Sequence, residues 1–173
     1  LALAQNKPID FASLMRSTRV SVPTLRKLIA AFEAMFLIRV IETVGTERKP
    51  VLFFEDQGEA TYLAQGKYDP LTDMTRFLFS NLRHQWVYRP ELSGSFFQFR
   101  NRGGAYVPLC VRTKDGVLGL IPIPGESPSP QAIASANSFL RSFPNSKALF
   151  VHLGKRDEAF SSRLRVIPLG RII

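Results

Sequence analysis

Cysteine and histidine are scarce in this 173-residue chain, and their scarcity excludes several classes of site. The single cysteine, Cys110, has no partner for an internal disulfide, so nothing indicates an oxidising compartment and we expect a cytoplasmic protein. The two histidines, His84 and His152, lie about seventy residues apart. Neither shows metal-ligand spacing, so a structural or surface role is the simpler interpretation of each, and Cys110 reads as a core residue.

Long apolar runs and signature motifs of catalysis are also missing. No apolar run approaches the ~20 residues of a membrane-spanning helix, and we expect no signal peptide, since no stretch of the given residues has that pattern. The motifs GxxxxGK[ST], GxSxG and HExxH do not occur. The chain begins with Leu1 in the middle of a helix-like stretch, which indicates a piece of a longer protein.

Acidic residues are outnumbered by basic ones, 14 against 23, which gives a formal net charge of +9. The excess is uneven: residues 1–50 carry +4, 51–75 carry −4, 76–114 carry +6 and 115–173 carry +3. Two basic blocks are therefore separated by an acidic one. A strongly basic balance favours an anionic partner such as nucleic acid.

Residues 9–41 have the pattern of two helices joined by a tight turn. Asp10 and Ser21 are suited to cap them, Pro23 fits only a first turn, and residues 18–20 leave room for a short connection. Phe11, Leu14 and Met15 mark the first helix, and one apolar stripe marks the second, formed by Leu25, Leu28, Ile29, Phe32, Met35 and Phe36. With Thr24, Arg26 and Lys27 on its polar side, the pair is typical of a helix-turn-helix. A helical hairpin with a solvated basic face fits equally well.

Residues 37–44 and 51–54 are strand-like and flank the basic turn GTERKP. A hairpin directly after a helix-turn-helix predicts a wing, whose tip would present Arg48 and Lys49; an ordinary hairpin with a soluble tip is the alternative. An acidic helix and a loop follow. We place a domain boundary after residue 68, so that residues 1–68 form a winged helix-turn-helix domain.

Residues 69–173 contain the order helix, three antiparallel-capable strands, crossover helix and strand, with further strand-like runs at residues 86–89 and at the end of the sequence. The predicted helices cover 72–85 and 130–143, and the predicted strands cover 86–89, 95–100, 105–112, 117–121, 147–153 and the closing LRVIPLGRII. Lys114, Asp115 and Gly116 form a hairpin signal between two of them. Arg100 and Arg102, beside Gly103 and Gly104, fit either a phosphate contact or a solvated strand end.

This order of elements resembles the C-terminal half of a family of prokaryotic AAA-type ATPases. The matching stretches are LAQNKPIDFASLMRSTRVSVPTLRKLIAAFEAMFLIRVIE, KPVLFFEDQGEATYL, MTRFLFSNL, FFQFRNRGGAYVPLCV and the closing VIPL. The resemblance implies an α+β chain: a winged helix-turn-helix followed by a small restriction-endonuclease-like α/β domain over residues 69–173. It also implies an ATPase domain upstream, which would hold ATP and Mg²⁺ outside this region.

In that family the second domain keeps parts of a nuclease site, in which carboxylates and a lysine serve one or two Mg²⁺ ions. The resemblance places those positions at Thr75, Pro108, Pro122 and Pro124, none of which can hold a metal. No acid lies between Glu91 and Asp115, and no E-x-K or D-x-K follows Asp115. We therefore expect no catalytic, cofactor-binding or metal-binding residues here.

The sequence thus predicts a non-catalytic region that binds DNA, or positions a partner, through the winged helix. Glu33 and Glu47 would oppose DNA, and without a base-reading pair we expect little specificity. The alternative is a protein–protein interaction module packing on its own ATPase domain or another subunit, for which Ala30, Ala31 and Ala34 form a smooth patch; a homo-oligomer stays open, and a metal-dependent nuclease ranks last. The predicted nucleic-acid contacts are Arg19, Ser21, Thr24, Arg26, Lys27, Arg48 and Lys49.

Overall fold

The computed structural model describes residues 1–172 as an α+β chain built on one mixed eight-stranded sheet. The helices are α1 (Phe11–Thr18), α2 (Val22–Ala34), α3 (Gln57–Leu63), α4 (Pro70–Tyr88) and α5 (Pro130–Ser142). The strands are β1 (Ile38–Gly45), β2 (Val51–Phe54), β3 (Ser95–Arg100), β4 (Tyr106–Thr113), β5 (Gly116–Pro122), β6 (Ser146–His152), β7 (Glu158–Ala159) and β8 (Leu164–Pro168). Short 3₁₀ turns cover Ala2–Ala4, Pro90–Leu92 and Leu169–Arg171.

Side-chain caps fix where the first two helices begin. The carboxylate of Asp10 accepts hydrogen bonds from the Ala12 and Ser13 amides, and the Ser21 hydroxyl accepts one from the Thr24 amide. These are the caps that the sequence predicts. α1 ends where Arg19 adopts a left-handed conformation with φ 58°. The two-helix arrangement therefore follows from local sequence.

The strand order is β2-β1-β3-β4-β5-β6-β8-β7. β1 and β2 form the predicted antiparallel hairpin, but β1 also pairs in parallel with β3, from Glu42 opposite Phe97 to Gly45 opposite Arg100. β5, β6 and β8 are parallel, with α5 as the crossover between β5 and β6. The predicted division between residues 68 and 69 therefore falls between neighbouring strands of one sheet.

The two faces of the sheet carry separate apolar cores. On the α4 face, the Phe79 ring lies between Phe53 and Phe96, at centroid distances of 4.6 and 5.0 Å. On the α5 face, Phe99 and Phe139 meet edge to face at 5.6 Å. Cys110 is fully buried there, and burial raises the pKa of its thiol, as expected for a core residue. Among residues 1–172, no helix is both long and apolar enough to cross a membrane.

The predicted apolar stripe of α2 is only partly buried. Leu25 and Ile29 are in the core and Phe32 is half-buried, but Leu28, Met35 and Phe36 are exposed. The helix ends at Ala34, and Phe36 takes a left-handed conformation with φ 57° that turns the chain into β1. Because that turn carries the side chain off the helical stripe, periodicity alone overestimates the buried face.

The strand predicted at residues 86–89 is wrong, because these residues extend α4 to Tyr88. Trp86 lies on the same face of α4 as Phe79 and Leu82. Its ring stacks on Phe96, with the ring centroids 4.4 Å apart. Tertiary packing of an aromatic residue on a helix thus overrides its strand propensity. The start of α4 also lies two residues before the prediction, with Asp69 as its cap.

Candidate functional site

Five predicted contact residues lie at the turn between α1 and α2 and on the first turns of α2. Arg19, Ser21, Thr24, Arg26 and Lys27 are all exposed. The Ser21 and Thr24 hydroxyls are 2.8 Å apart and share a hydrogen bond. The positive end of α2 and the cations beside it therefore face solvent together.

Contacts connect this helix to the hairpin tip. The Arg26 guanidinium lies 4.3 Å from the ring centroid of Phe11, at the start of α1. Two residues earlier, the Ile9 amide donates to the Pro50 carbonyl at 2.8 Å. Pro50 directly follows the exposed Lys49. The structure thus brings the tip and the second turn of α2 to one side of the molecule.

The hairpin tip is fastened to the turn between β3 and β4 instead of projecting freely. The Thr46 amide donates to Asn101 Oδ1 at 3.0 Å, and the Arg102 amide donates to Thr46 Oγ1 at 2.7 Å. Gly45 has φ +124°, and a Cβ there would lie 2.2 Å from the Arg100 carbonyl oxygen. Only glycine fits this close approach.

These hydrogen bonds place further basic side chains near the hairpin tip. Arg102 is exposed beside the tip, and together with Arg141 of α5 it lines a hollow of about 440 Å³. Sequence reasoning singled out Arg102 only as one of two open alternatives and did not identify Arg141. The missing signal is the parallel pairing of β1 with β3, which no local pattern encodes.

The two acids expected to oppose an anionic partner are engaged elsewhere. Glu33 Oε1 accepts a hydrogen bond from the Val40 amide at 3.0 Å, at the far end of α2 from Ser21. Glu47 Oε2 lies 3.8 Å from Arg100 Nε. Asp10 remains at the start of α1, where its carboxylate caps the helix.

A second feature is a cavity of about 480 Å³ where β4 begins and β5 ends, called here the sheet-end cavity. Thr75, Pro108, Pro122 and Pro124, the four positions that the family resemblance identifies, all line it. The Thr75 hydroxyl donates to the Leu71 carbonyl at 2.8 Å. Within residues 1–172, no group of three or more histidine, cysteine or acidic side chains is arranged to hold a metal ion.

Charged and polar groups line the remainder of the sheet-end cavity. Burial raises the pKa of Tyr106 to about 12, against the nearby Arg100 charge, so the hydroxyl stays protonated at neutral pH. Burial would raise the pKa of Asp69, but hydrogen bonds from the Thr72 hydroxyl and from backbone amides outweigh it and lower the pKa. Sequence reasoning identified neither Tyr106 nor Asp69 as a site residue.

Comparison with known proteins gives no relative: no protein-family model, no curated protein and no solved structure matches this chain.

Proposed function

We propose that this chain is a non-catalytic C-terminal region of an AAA-type ATPase and that it binds duplex DNA through its basic surface. That surface consists of Arg19, Arg26, Lys27, Arg48 and Lys49. In this proposal α1, α2 and the β1–β2 hairpin act as a winged helix-turn-helix, and residues 69–173 act as a restriction-endonuclease-like scaffold. The observation that carries it is that these cations are exposed, and that the stretch from Ile9 to Phe11 contacts both Arg26 of α2 and Pro50, the neighbour of Lys49.

Binding would rely on phosphate contacts. The first turn of α2, with Ser21 and Thr24, would enter the major groove while the cations contact the backbone on either side. Because α2 presents no pair of exposed side chains suited to read base edges, specificity would be low. Nonspecific binding of this kind has a Kd on the order of 10⁻⁴–10⁻⁶ M at physiological salt.

Replacing Arg26 and Lys27 together with alanine is expected to weaken binding to every duplex sequence. Log K falls as log salt rises, and each lost phosphate contact makes this slope shallower by roughly 0.9. The double variant should therefore have a slope that is shallower by about 1.8. Fluorescence anisotropy over a salt series measures both quantities. The matched control replaces Lys114 and Lys147 with alanine. Both are exposed cations elsewhere on the chain, so this control has the same net charge as the Arg26/Lys27 variant.

Equal binding by the double variant and the wild type would contradict the proposal, as would equal losses in the Arg26/Lys27 and Lys114/Lys147 variants. Absence of any DNA binding at low salt would favour a protein-interaction module. A specific observation supports that second candidate: Leu28, Met35, Phe36 and Leu37 are exposed, next to the exposed alanines of α2. Its partner would be the ATPase domain or another subunit.

We expect no Mg²⁺- or Mn²⁺-dependent cleavage of DNA or RNA. At the positions where a nuclease of this fold would place its carboxylates, the chain has Thr75, Pro108, Pro122 and Pro124, which offer no charged oxygen ligand. The measurement is a gel assay with plasmid, linear duplex and RNA at millimolar metal. Cleavage that disappears when an acid of residues 69–173 is mutated would overturn this prediction.

A further inference from the structure

The sheet-end cavity shares no lining residue with the basic surface and has its own chemistry. Residues from five parts of the chain enclose it: the segment before α1, the start of α4, the stretch from the end of β3 to the start of β4, the end of β5 and the start of α5. None of the seven predicted nucleic-acid contacts lines it. Its volume of about 480 Å³ falls in the range of small-molecule sites.

Two cations at this cavity have unused capacity. Lys7 is exposed and, within the described part of the chain, has no carboxylate at ion-pair distance. Arg100 is about a quarter exposed; its buried Nε makes no hydrogen bond among residues 1–172, although Glu47 Oε2 lies at ion-pair distance, 3.8 Å away. A buried guanidinium N–H without a hydrogen bond is costly, so this group keeps capacity for an anionic ligand, which would compete with the Glu47 carboxylate.

Other polar groups around the cavity are already paired within the protein. The Gln131 amide donates to the Gly104 carbonyl at 3.1 Å, and Ser135 Oγ accepts from the Tyr106 amide at 3.2 Å. The Thr75 hydroxyl is similarly occupied. These side chains are therefore partly occupied, and the cations that line the cavity, Lys7 and Arg100, supply the charge for an anionic ligand.

A buried polar floor holds Arg100 and Tyr106 in place. Gln98 is fully buried on β3, between phenylalanines, and its Nε2 donates to Asn6 Oδ1, to the Tyr106 hydroxyl and to the Pro108 carbonyl. The Arg100 guanidinium lies 4.2 Å from the Tyr106 ring centroid. Burying a polar side chain costs free energy unless it is hydrogen-bonded. All three partners of Gln98 line the cavity, so its hydrogen bonds help to position the cavity wall.

Part of the rim of the cavity is apolar. Leu71 and Pro124 are exposed and Ala132 is half-buried, and all three line the cavity. A ligand with a flat ring could pack the ring on these three residues while its anionic group reaches Lys7 and Arg100. A molecule in which a phosphate is joined to an aromatic ring system has both parts.

We propose that the sheet-end cavity binds the phosphate of a nucleoside monophosphate through Lys7 and Arg100, with the base packed against Leu71, Pro124 and Ala132. The ligand is either the free nucleotide or the phosphorylated end of a nucleic-acid strand, since both present the same group. Asp69, the cap of α4, is the one acid lining the cavity and opposes the phosphate. This inference is independent of DNA binding by the basic surface.

The test is calorimetric titration of the chain at low salt with adenosine 5′-monophosphate and with adenosine. Single-stranded oligonucleotides with a 5′-phosphate or a 5′-hydroxyl form the second arm. Lys7→Gln should weaken binding of the monophosphate on the order of fivefold, since one unit charge near the phosphate is lost. Asp69→Asn should strengthen binding by a similar factor, because asparagine still caps α4 while the opposing charge is gone.

Lys114→Gln is the control, because it removes one exposed lysine at the opposite end of β4. Saturable binding of the monophosphate, with opposite shifts in the Lys7 and Asp69 variants, supports the proposal. Binding confined to the 5′-phosphorylated strand supports it and identifies a strand end as the ligand. It is overturned if neither phosphorylated probe binds, if adenosine binds as tightly as its monophosphate, or if Lys7→Gln behaves like Lys114→Gln. The Arg26/Lys27 double variant should bind the monophosphate normally, which separates this test from the DNA measurement.

Discussion

Replacing Phe79 with alanine is expected to lower the free energy of unfolding by about 3–5 kcal/mol. The ring is only 1% exposed; it stacks on Phe53 of β2 and packs at a tilt against Phe96 of β3. Removing it leaves a void that these close-packed neighbours cannot fill. Denaturant unfolding followed by circular dichroism measures the change, and a single transition is expected because the sheet runs from β2 to β3 without a break.

Phe77→Ala is the matched control, since this phenylalanine is on the same helix but 42% exposed. It should cost much less than Phe79→Ala. Two separate transitions, with only the later-melting one shifted by Phe79→Ala, would show that residues 1–68 fold as an independent unit. A single transition shifted as a whole would show that both predicted domains unfold together.

Replacing Arg76 with alanine is also expected to lower the free energy of unfolding, by about 2–3 kcal/mol, because acceptors of Gln57 and Thr61 lose a charged donor, whereas Asp73 is 55% exposed and can be hydrated instead. The side chain is 3% exposed and joins α4 to α3. Its guanidinium donates to Gln57 Oε1 at 2.9 Å, to Thr61 Oγ1 at 3.0 Å and to Asp73 Oδ1 at 2.6 Å. It also lies 3.7 Å from the Tyr68 ring centroid.

Arg76→Lys separates charge from geometry. Lysine keeps the charge but not the planar fork that reaches four acceptors, so we expect most of the loss to persist. Arg141→Ala, at an exposed position of α5, should change stability by less than about 0.5 kcal/mol. Thermal or urea unfolding of the three variants checks this order. A loss for Arg76→Ala no larger than that for Arg141→Ala would contradict the network's role.

The basic surface and the sheet-end cavity adjoin through the segment that precedes α1. This segment covers the outer edge of β2: the Asn6 amide donates to the Leu52 carbonyl, and Pro8 bridges to Val51. Lys7 lies between these two contacts and lines the cavity, while Ile9 is bonded beside the hairpin tip. A strand end held in the cavity would therefore lie next to the surface proposed to bind the duplex.

The sequence by itself determined the elements whose signals are local. Asp10 and Ser21 cap α1 and α2 because a short polar side chain can bond the free amides of a first turn whatever surrounds it. β3 was predicted at residues 95–100, and the hairpin between β4 and β5 follows from Lys114, Asp115 and Gly116. The mixed α+β class follows from the order of these elements.

Tertiary structure alone decided the features that depend on distant partners. The parallel pairing of β1 with β3 joins segments about fifty residues apart, so no sequence window contains both. Trp86 is helical because Phe96 is there to stack on, and Arg76 is buried because Gln57 and Thr61 offer acceptors. The sheet-end cavity exists only where five separate parts of the chain meet. Local propensities are weak compared with such contacts, and for this reason the exposed and buried roles of Phe36, Gln98 and Arg100 could not be predicted before the sheet was known.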